Sequence, residues 1–362
     1  MKNDKPLKVA IIFGGKSSEY EVSLKTVSSV LANIDTKKYE IIAIGISKEG
    51  QWYLYSGPYE NIITDSWQIP RFTRSAIISP DCSKKGIYIL QNDQSYQFVG
   101  VDILFPVLHG KNGEDGTIQG IFELSGIPYV GCGLISSANC MDKEITHTLL
   151  ESASIKMTKW ISFRKPELDD FESIRQKVTS TFDYPVFVKP ANAGSSVGVS
   201  KVGDDSDLRR ALEIAFEQDK KVVVEKAVIG REVECAVLGN DEPMASVLGE
   251  IAPEVEFYDY DAKYKSGTTK LHIPARIDDS ISEKVKAIAV KAYRTMECSG
   301  LSRVDFFVCD DGEIILNEIN TLPGFTEISM YPKLMEATGI PYTDLIDKLI
   351  TLGFERDGQL GK

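Results

Sequence analysis

The sequence predicts a mixed fold, α/β over its first third and α+β over its last third. Strand-like apolar runs alternate with helix-like segments at the start of the chain, a pattern typical of a doubly wound parallel sheet. The last third combines a predicted β-hairpin with two amphipathic helices. At 362 residues, the chain is long enough for two or three domains with large cores.

The first third contains four predicted strands and two predicted helices. The strands are KVAIIF, YEIIAIGI, WYLY and VDILFPVL, and the helices are VSLKTVSSVLANI and GTIQGIFELSG. Ligands of a doubly wound sheet bind beyond the carboxyl ends of its strands. Gly14 and Gly15 follow the first strand there, and the turn from His109 to Gly116 follows the fourth. We therefore expect part of a binding site at this edge.

The middle of the chain predicts a second α/β region. It contains the helices MDKEITHTLLESA and DLRRALEIAFEQ and the strands YPVFVKP, VGVSKV and KVVVEKAV. The loop KPANAGSSVG between the first two strands is rich in small residues, and its backbone N–H groups suit phosphate oxygens, with Lys189 as a point charge at its base. Such loops are often plain turns, and no Walker A motif is present. The loop alone does not decide between these interpretations.

The most informative segment of the last third reads SRVDFFVCDDGEIILNEINTLPGF. Asp311-Gly312 is a two-residue turn signal between two apolar runs. Counting outward from this turn pairs Asp305 with Glu318. Because side chains two apart on a strand share a face, four polar side chains are expected together at the end of the hairpin away from the turn: Arg303, Asp305, Glu318 and Asn320.

This hairpin end predicts a metal site. Directly opposed carboxylates, with Cβ atoms about 5 Å apart, repel each other unless a cation joins them. Mg²⁺ fits, because it prefers one or two carboxylates together with substrate phosphates and water. A solvent-facing strand end would carry the same charges without any function. The metal interpretation is favoured because the strand interiors are apolar on both faces.

The segment FGGKSSEYEVS follows the first strand and begins the first helix. It is not GxGxxG and no acidic ribose partner follows it, so a dinucleotide site is not predicted. A helix N-terminus favours a bound carboxylate or phosphate. Alternatively, Ser17 or Ser18 caps the helix, with Glu21 as the partner in a capping box. The local sequence leaves both interpretations open.

Composition narrows the functional classes. The net charge is −12, from 41 basic and 53 acidic residues, which argues against nucleic acid or an anionic membrane as a partner. No signal-peptide pattern or membrane-length apolar run is visible, so a cytoplasmic, soluble protein is expected. Without CxxC spacing, the six cysteines predict buried free thiols in a reducing compartment: Cys82, Cys132, Cys140, Cys235, Cys298 and Cys309.

Together these motifs resemble the D-alanine–D-alanine ligase family of ATP-grasp enzymes over nearly the whole chain. The matching segments are GGKSSEYEVS, LHGKNGEDGTIQG, MDK at 141–143, VKPANAGSSVG, EFYDYDAKY and RVDFFV…LNEINTLPGFTEISMYP. Tyr20 departs from the pattern, since many relatives carry His or Arg there. Its Glu-Tyr-Glu-Val-Ser context is similar to the D-alanine–D-serine ligases of vancomycin resistance.

The resemblance implies an ATP-grasp fold in three parts. Residues 1–131 would form the N-terminal α/β substrate-binding domain, 132–229 the central ATP-grasp subdomain, and 230–362 the C-terminal subdomain with the metal site. Residues 256–277, a long polar and aromatic stretch, would form a lid, a common role for loops of this length. The implied partners are ATP, two Mg²⁺ (or Mn²⁺) ions, D-alanine, possibly D-serine, and a second copy of the chain in a homodimer.

The resemblance also assigns roles to individual residues. ATP would contact Lys143, Lys189, Ser195, Ser196, Glu225, Lys226, Glu232 and Lys263, with Glu225 and Lys226 in the adenine pocket and Glu232 on the ribose. The metal ions would be held by Asp305, Glu318 and Asn320. The amino-acid substrates would contact Glu19, His109, Arg303, Ser329 and Met330. Catalysis would involve Glu19, Ser195 and Tyr264 as a hydrogen-bonded set that closes the lid, and Arg303 and the Gly324 N–H at the oxyanion.

The choice of second substrate depends on few contacts. Relatives that use D-lactate or D-serine tend to carry Arg where this chain has Met330, in SMYP. An apolar side chain suits a methyl group, and Lys263-Tyr264 in the lid agrees with it, so D-alanine is favoured over D-serine. A hydroxyl difference in an apolar pocket changes binding by only about 1–3 kcal/mol, so mixed activity stays open.

Three other functional classes are considered. A different ATP-grasp ligase would share the metal hairpin but not LHGKNGEDG. A non-catalytic nucleotide-binding regulator is disfavoured by the intact set of Arg303, Asp305, Glu318 and Asn320. A dehydrogenase is disfavoured because GxGxxG is missing. His147 and His272 receive no functional role and are expected to be structural or on the surface.

Overall fold

The computed structural model of the chain describes residues 5–252 and 270–358. The first of its three sheets has seven strands: β1 (Leu7–Gly14), β2 (Tyr39–Ile46), β3 (Trp52–Tyr55), β4 (Thr73–Ile78), β5 (Gly86–Leu90), β6 (Tyr96–Gly100) and β7 (Ile103–Leu108). Their spatial order is β6-β5-β4-β3-β2-β1-β7. The helices of this region are α1 (Tyr20–Asn33), α2 (Glu60–Ile63) and α3 (Thr117–Ser125).

The second sheet has four antiparallel strands in the order β10-β9-β11-β8: β8 (Trp160–Arg164), β9 (Val186–Pro190), β10 (Ser200–Val202) and β11 (Lys221–Lys226). Around it lie α4 (Leu134–Met141), α5 (Lys143–Ser152), a 3₁₀ turn (Lys165–Asp170), α6 (Phe171–Thr181) and α7 (Asp205–Gln218). The apolar faces of α6 and α7 pack on β9 and β11 in one core.

The third sheet is also antiparallel, in the order β14-β13-β12-β15-β16. Its strands are β12 (Arg231–Gly239), β13 (Met244–Ala252), β14 (Lys270–His272), β15 (Gly300–Val308) and β16 (Ile314–Asn320). The helices are α8 (Asp279–Thr295), α9 (Met330–Ala337) and α10 (Tyr342–Arg356). The two ends of the chain share one apolar core, in which Val9 and Phe13 of β1 belong with Leu345 and Leu349 of α10. This core fixes the first sheet against the third.

The predicted class is confirmed, but the first sheet is parallel only in part. β1 pairs in parallel with β2 and β7, whereas β3 pairs antiparallel with β2. The reason is the short connection between β2 and β3, because a parallel partner needs a crossover of a dozen or more residues. Strands β4, β5 and β6 extend the antiparallel part and were not predicted.

The predicted hairpin pairing is correct, although the turn is not the predicted one. Asp311-Gly312 does not form a two-residue turn, because Cys309 N–H bonds Glu313 O at 2.9 Å and closes a three-residue loop. That loop shifts the pairing by one residue, to Phe306 opposite Leu316. An irregularity between Asp305 and Phe306, with one extra residue on β16, then restores the predicted register.

Further expectations are resolved by the fold. All six cysteines are free, as predicted, but Cys82 is exposed and Cys309 half-buried; only the other four are buried. The capping box at α1 is wrong: the N-cap residue is Glu19, and Glu21 pairs with Lys48 at 2.7 Å. Among residues 5–252 and 270–358, no helix combines the length and the apolar character needed to cross a membrane. The domain limits at 131/132 and 229/230 stay a proposal.

We predict that Gly14→Ala destabilises the protein while Gly203→Ala does not. Gly14 has φ +87°, and a Cβ atom there would overlap the Ile46 carbonyl oxygen. The left-handed conformation alone costs about 1–2 kcal/mol for alanine. Gly203 has no heavy atom within 4 Å of its Cβ position, so its change should stay within about 0.5 kcal/mol. Urea unfolding measures both, and equal midpoints would contradict the prediction.

Candidate active site

Three carboxylates stand in one row across the third sheet. Glu234 on β12 is directly opposite Asp305 on β15, and Asp305 is directly opposite Glu318 on β16. Residues opposed in this way share a face of the sheet. Glu234 and Asp305 are buried. The sequence predicted the second and third members of the row but missed Glu234.

Arg303 contacts two of the three carboxylates in this row, Asp305 and Glu234. Its Nε donates to Asp305 Oδ1 at 2.8 Å and its Nη2 to Asp305 Oδ2 at 2.7 Å, a bidentate pair. The same Nε lies 3.0 Å from Glu234 Oε2. Burial opposes the charged guanidinium, but the charges of Asp305, Glu234 and Glu318 outweigh it and raise the pKa of Arg303 well above its usual range. Arg303 therefore stays charged at any physiological pH.

The donor set at the end of the hairpin fits a hard cation. Asn320 Nδ2 donates to Asp305 Oδ2 at 2.9 Å and lies 3.5 Å from Glu318 Oε1, so a half-turn of this amide presents its oxygen to the same place. Across the described residues, no group of three His, Cys, Asp or Glu side chains is placed to hold a metal alone. Two carboxylates and an amide match Mg²⁺, which completes its shell with phosphate and water oxygens.

The first and second sheets meet at Glu19. This residue precedes α1, is buried, and accepts a hydrogen bond from Ser195 Oγ in the small-residue loop after β9. A Cβ atom on Gly110 would collide with Glu19 Oε2, and one on Gly194 would lie 2.8 Å from it. A side chain at either position would therefore force the Glu19 carboxylate to move. The predicted pair of Glu19 and Ser195 lies together.

His109 connects the loop after β7 to the chain after β16. Its Nδ1 lies 3.1 Å from Leu322 O and 3.4 Å from Glu114 Oε1, and its Nε2 lies 3.0 Å from Thr26 Oγ1. Burial lowers the pKa of the imidazole, but the hydrogen bond and charge of Glu114 and the charge of Glu19 reverse this and raise it. These carboxylates therefore favour the protonated form of His109.

Two lysines flank the small-residue loop, as predicted. Lys143 begins α5, and its Nζ donates to Ala193 O at 2.8 Å. Burial lowers the pKa of Lys143, while the nearby charge of Glu318 raises it, and the net shift is downward. Because the charge of Glu318 acts on Lys143, the start of α5 and the loop that it contacts lie near the hairpin end. Ser195 and Ser196, at φ +50° and +59°, both adopt the left-handed conformation that is uncommon for residues other than glycine.

The second lysine, Lys189, belongs to a cluster of three charged or polar side chains, which the sequence predicted only in part. Lys189 Nζ lies 2.6 Å from Glu225 Oε2, and His147 Nε2 lies 3.0 Å from Glu225 Oε1. Burial raises the pKa of Glu225, but Lys189 and His147 outweigh it and hold the carboxyl ionised. His147 was predicted to be structural or on the surface, and it is buried one helical turn after Lys143. The spacing of one helical turn between Lys143 and His147 was the signal in the sequence that could have assigned His147 to this site.

The other predicted nucleotide contacts lie at the edges of this region. Lys226 follows Glu225 on β11, but its side chain is exposed while that of Glu225 is buried, as expected for neighbours on opposite faces of a strand. Glu232 lies on β12, two residues before Glu234 and on the same face. Lys263 and Tyr264 lie outside the described residues.

A tight turn after β16 carries the residues predicted to contact the second amino acid. Ser329 Oγ accepts from Thr326 N at 3.1 Å, and a Cβ atom on Gly324 would lie 3.1 Å from the same Oγ. Met330 begins α9 and is buried against β13, where a Cβ atom on Gly249 would lie 2.6 Å from its sulfur. Through Leu322, this turn is tied to His109.

The hairpin end, the small-residue loop and the segment before α1 thus form one site, drawn from all three sheets. Two family models match the chain: "D-ala D-ala ligase N-terminus" over residues 8–132 and "D-ala D-ala ligase C-terminus" over residues 149–351. A D-alanine–D-alanine ligase of Caldicellulosiruptor bescii is 49% identical over 98% of this chain and 96% of its own length. One of Acetivibrio thermocellus is 48% identical over 96% of each chain.

Two solved structures agree with these matches. The VanG D-Ala:D-Ser ligase of Enterococcus faecalis superposes with a TM-score of 0.88 and 44% identity, covering 96% of this chain and all of its own. The D-alanine–D-alanine ligase of Coxiella burnetii gives a TM-score of 0.85 and 34% identity, covering 98% of this chain and 95% of its own. The chain therefore belongs to the D-alanine–D-alanine ligase family, with the ATP-grasp fold that its sequence predicts.

Proposed function

We propose that this chain joins two D-alanine molecules into D-alanyl-D-alanine, with conversion of ATP to ADP and phosphate. One arrangement supports the proposal. Arg303, Asp305 and Glu318 lie at the hairpin end, the chain beyond it contacts His109 through Leu322, and Glu19 contacts the small-residue loop through Ser195. A phosphate-binding loop, a cation site and a buried carboxylate are the parts that phosphoryl transfer to an amino-acid carboxylate requires. The names of the relatives support the same reaction.

In the first step, the carboxylate of one D-alanine attacks the γ-phosphorus of ATP and gives an acyl phosphate and ADP. Glu19 binds the ammonium group of this D-alanine, and His109 lies near its carboxylate. Lys143 and Lys189 contact the phosphates from two sides, with the backbone around Ser195 and Ser196 between them. Fixed positive groups stabilise the charge that develops on the phosphoryl oxygens.

Asp305, Glu318 and Asn320 are the residues that would hold Mg²⁺ or Mn²⁺, two ions in the family pattern. When bound, such ions neutralise phosphate charge and orient the γ-phosphate for in-line transfer. For the nucleotide itself, we propose Glu225 and Lys226 at the adenine, Glu232 at the ribose and Lys263 at the phosphates. Because the Lys226 side chain is exposed and Glu225 buried, the backbone of Lys226 serves the base and its side chain does not.

In the second step, the free amine of another D-alanine attacks the acyl carbon and expels phosphate. The tetrahedral oxyanion forms beside Arg303 and the Gly324 N–H, where a preorganised cation and a backbone donor stabilise it. The acyl phosphate hydrolyses in water, so the site must close before it forms. The end of the predicted lid 256–277 lies in the third sheet, where Lys270–His272 form β14 and Arg276 pairs with Glu250. We therefore propose the part before β14 as the lid, with Tyr264 joining Glu19 and Ser195 in the set that holds it shut. No covalent enzyme intermediate is required.

The second amino acid contacts Ser329 and Met330. The buried thioether of Met330 suits the methyl group of D-alanine better than a hydroxymethyl group. D-serine is the alternative, favoured by the similarity to a D-Ala:D-Ser ligase and by Tyr20, whose hydroxyl is held by Asp65 at 2.7 Å and Trp67 at 2.9 Å. The dipeptide would supply peptidoglycan synthesis and so support cell-wall biogenesis and cell shape.

We further propose a cytoplasmic homodimer. ATP, D-amino acids and free thiols all fit a reducing, nucleotide-rich compartment. Two neighbouring helices, α3 and α4, expose large apolar side chains, with Leu124 at 64% and Ile135 at 58% exposure. Apolar surface of this kind suits contact with a second copy of the chain.

The proposal is tested with the purified protein, ATP, Mg²⁺ and one or two amino acids. We expect phosphate release with D-alanine alone and D-alanyl-D-alanine as the product by mass spectrometry. D-Serine or D-lactate added at equal concentration should yield a minor mixed product, because the pocket discriminates by about 1–3 kcal/mol. A mixed product in excess would favour the D-alanine–D-serine alternative, and no dipeptide of any kind would refute the assignment.

Glu318→Gln should abolish ADP formation, because it removes one of the two charges that bind the metal ion. Loss of an outer-shell partner of a metal ligand costs about 10- to 100-fold, so loss of a ligand itself should cost about 100-fold or more in kcat. The matched control is Glu313→Gln just before β16, where the side chain is 36% exposed and pairs with Lys156. The control should turn over normally. Near-normal turnover of Glu318→Gln would refute the metal assignment.

Tyr264→Phe should leave ATP binding intact but uncouple ATP hydrolysis from ligation, because a lid that closes poorly admits water to the acyl phosphate. The ratio of phosphate released to dipeptide formed measures the coupling. Tyr258→Phe, in the same segment, is the control and should keep a ratio near that of the native protein. If Tyr264→Phe also keeps its coupling, the proposed lid role is wrong.

A further inference from the structure

Glu234 is a buried carboxylate that the proposed mechanism does not use. It lies two residues after Glu232 on β12, directly opposite Asp305, and its side chain is 9% exposed. Its Oε2 lies 3.0 Å from Arg303 Nε. A buried carboxylate is costly unless it is paired. Arg303 provides the pairing for Glu234, and the question is what Glu234 does for Arg303.

The sheet register explains how Glu234 reaches Arg303. The residue directly opposite Arg303 on β12 is Ala236, and Glu234 is its diagonal neighbour. Diagonal neighbours are about 7–8 Å apart at their Cα atoms, within reach of long side chains. The small Ala236 leaves the guanidinium free to lean along β12. Arg303 thus contacts Asp305 on its own strand and Glu234 on the adjacent one.

Asp305 and Glu234 differ in what else they contact besides Arg303. Asp305 offers both oxygens to Arg303 and a second bond from Oδ2 to Asn320. A cation bound at Asp305 competes with these donors for the same oxygens. Glu234 is on the far side of Asp305 from Glu318 in the row, so it keeps its contact with Arg303 when Asp305 turns to a metal ion.

We propose that Glu234 is a positioning residue, which holds the Arg303 guanidinium toward the reacting carbonyl oxygen while Asp305 binds metal. The inference rests on the role proposed above for Arg303. Glu234 itself touches neither substrate nor metal in this proposal. It acts by fixing one edge of the guanidinium, because a side chain misplaced by about 1 Å can reduce a rate about 100-fold.

Glu234→Gln should lower kcat about 10- to 100-fold, while KM for ATP and for the first D-alanine stays within about threefold. Glu234→Asp keeps the charge and should recover most of the lost rate. The control is Glu250→Gln, which breaks another Glu–Arg pair of the same sheet, between the buried Glu250 and Arg276 at 3.0 Å, where the Arg276 side chain is 58% exposed. It should keep kcat within about twofold, because the pair lies before α8 and outside the proposed site.

A double-mutant cycle tests whether Glu234 acts through Arg303. In an Arg303→Lys background, Glu234→Gln should cost less than about threefold in kcat, because coupled residues are non-additive. The same cycle in thermal unfolding of the metal-free, nucleotide-free protein should also be non-additive. Mn²⁺ affinity, measured by electron paramagnetic resonance, should fall much less in Glu234→Gln than in Glu318→Gln.

Three results would overturn the inference. One is a native kcat in Glu234→Gln, and another is full additivity with Arg303→Lys. The third is a loss of Mn²⁺ affinity equal to that of Glu318→Gln, which would make Glu234 a metal ligand instead. If Glu234→Gln does not fold, Glu234→Ala, which also removes the charge, is carried through the same cycle. Full activity of Arg303→Lys would instead remove the role proposed for Arg303, a failure distinct from that of Glu234.

Discussion

The site depends on one arrangement of charge, a buried guanidinium set among three carboxylates across three adjacent strands. Arg303 contacts Asp305 and Glu234 directly, and the charge of Glu318 also favours its ionised form. Like charges side by side on a sheet repel, so this row is stable only with cations among its members. Arg303 is the cation that the chain supplies itself. The opposed carboxylates of Asp305 and Glu318 suit a second, divalent cation, which is the metal ion of the proposed function.

A second constraint is the close approach of loops from separate sheets. Glu19 lies between Gly110 and Gly194, and a side chain at either position would meet its carboxylate. Ser195, from the same loop as Gly194, completes the contact by hydrogen bonding to Glu19. The glycines of this site therefore serve the close packing of these loops. His109 joins the first sheet to the third in a comparable way, through Leu322.

The nucleotide side of the site follows the same principle of buried, mutually compensating charge. Glu225 stays ionised at depth because Lys189 and His147 each contact one of its oxygens. For Lys143 the result is the opposite. Burial favours its neutral form, the charge of Glu318 only partly offsets this, and the pKa of Lys143 is lowered. Each charge is therefore set by residues from other elements. Substitutions at these residues are therefore expected to have non-additive effects.

The sequence by itself determined the parts of this protein that depend on local order. The hairpin strands, the helices with strong apolar periodicity and the long motifs of the family are all readable along the chain. Even so, the predicted opposition of Asp305 and Glu318 was reached through two compensating differences, a longer turn and a bulge. Turn length and bulges depend on how the strands twist and pack, which residue counting does not capture.

Only the tertiary structure decided which distant residues meet. It paired Glu234 with Arg303 and His147 with Glu225, neither of which was predicted from the sequence. The meeting of Ser195 with Glu19 was expected only through the family resemblance and not from residue spacing. It also placed β3 antiparallel to β2, because a short connection left no room for a crossover. The physical reason is common to all of these. Periodicity reports which side of an element is buried, whereas the partner across the interface is fixed by packing of the whole chain.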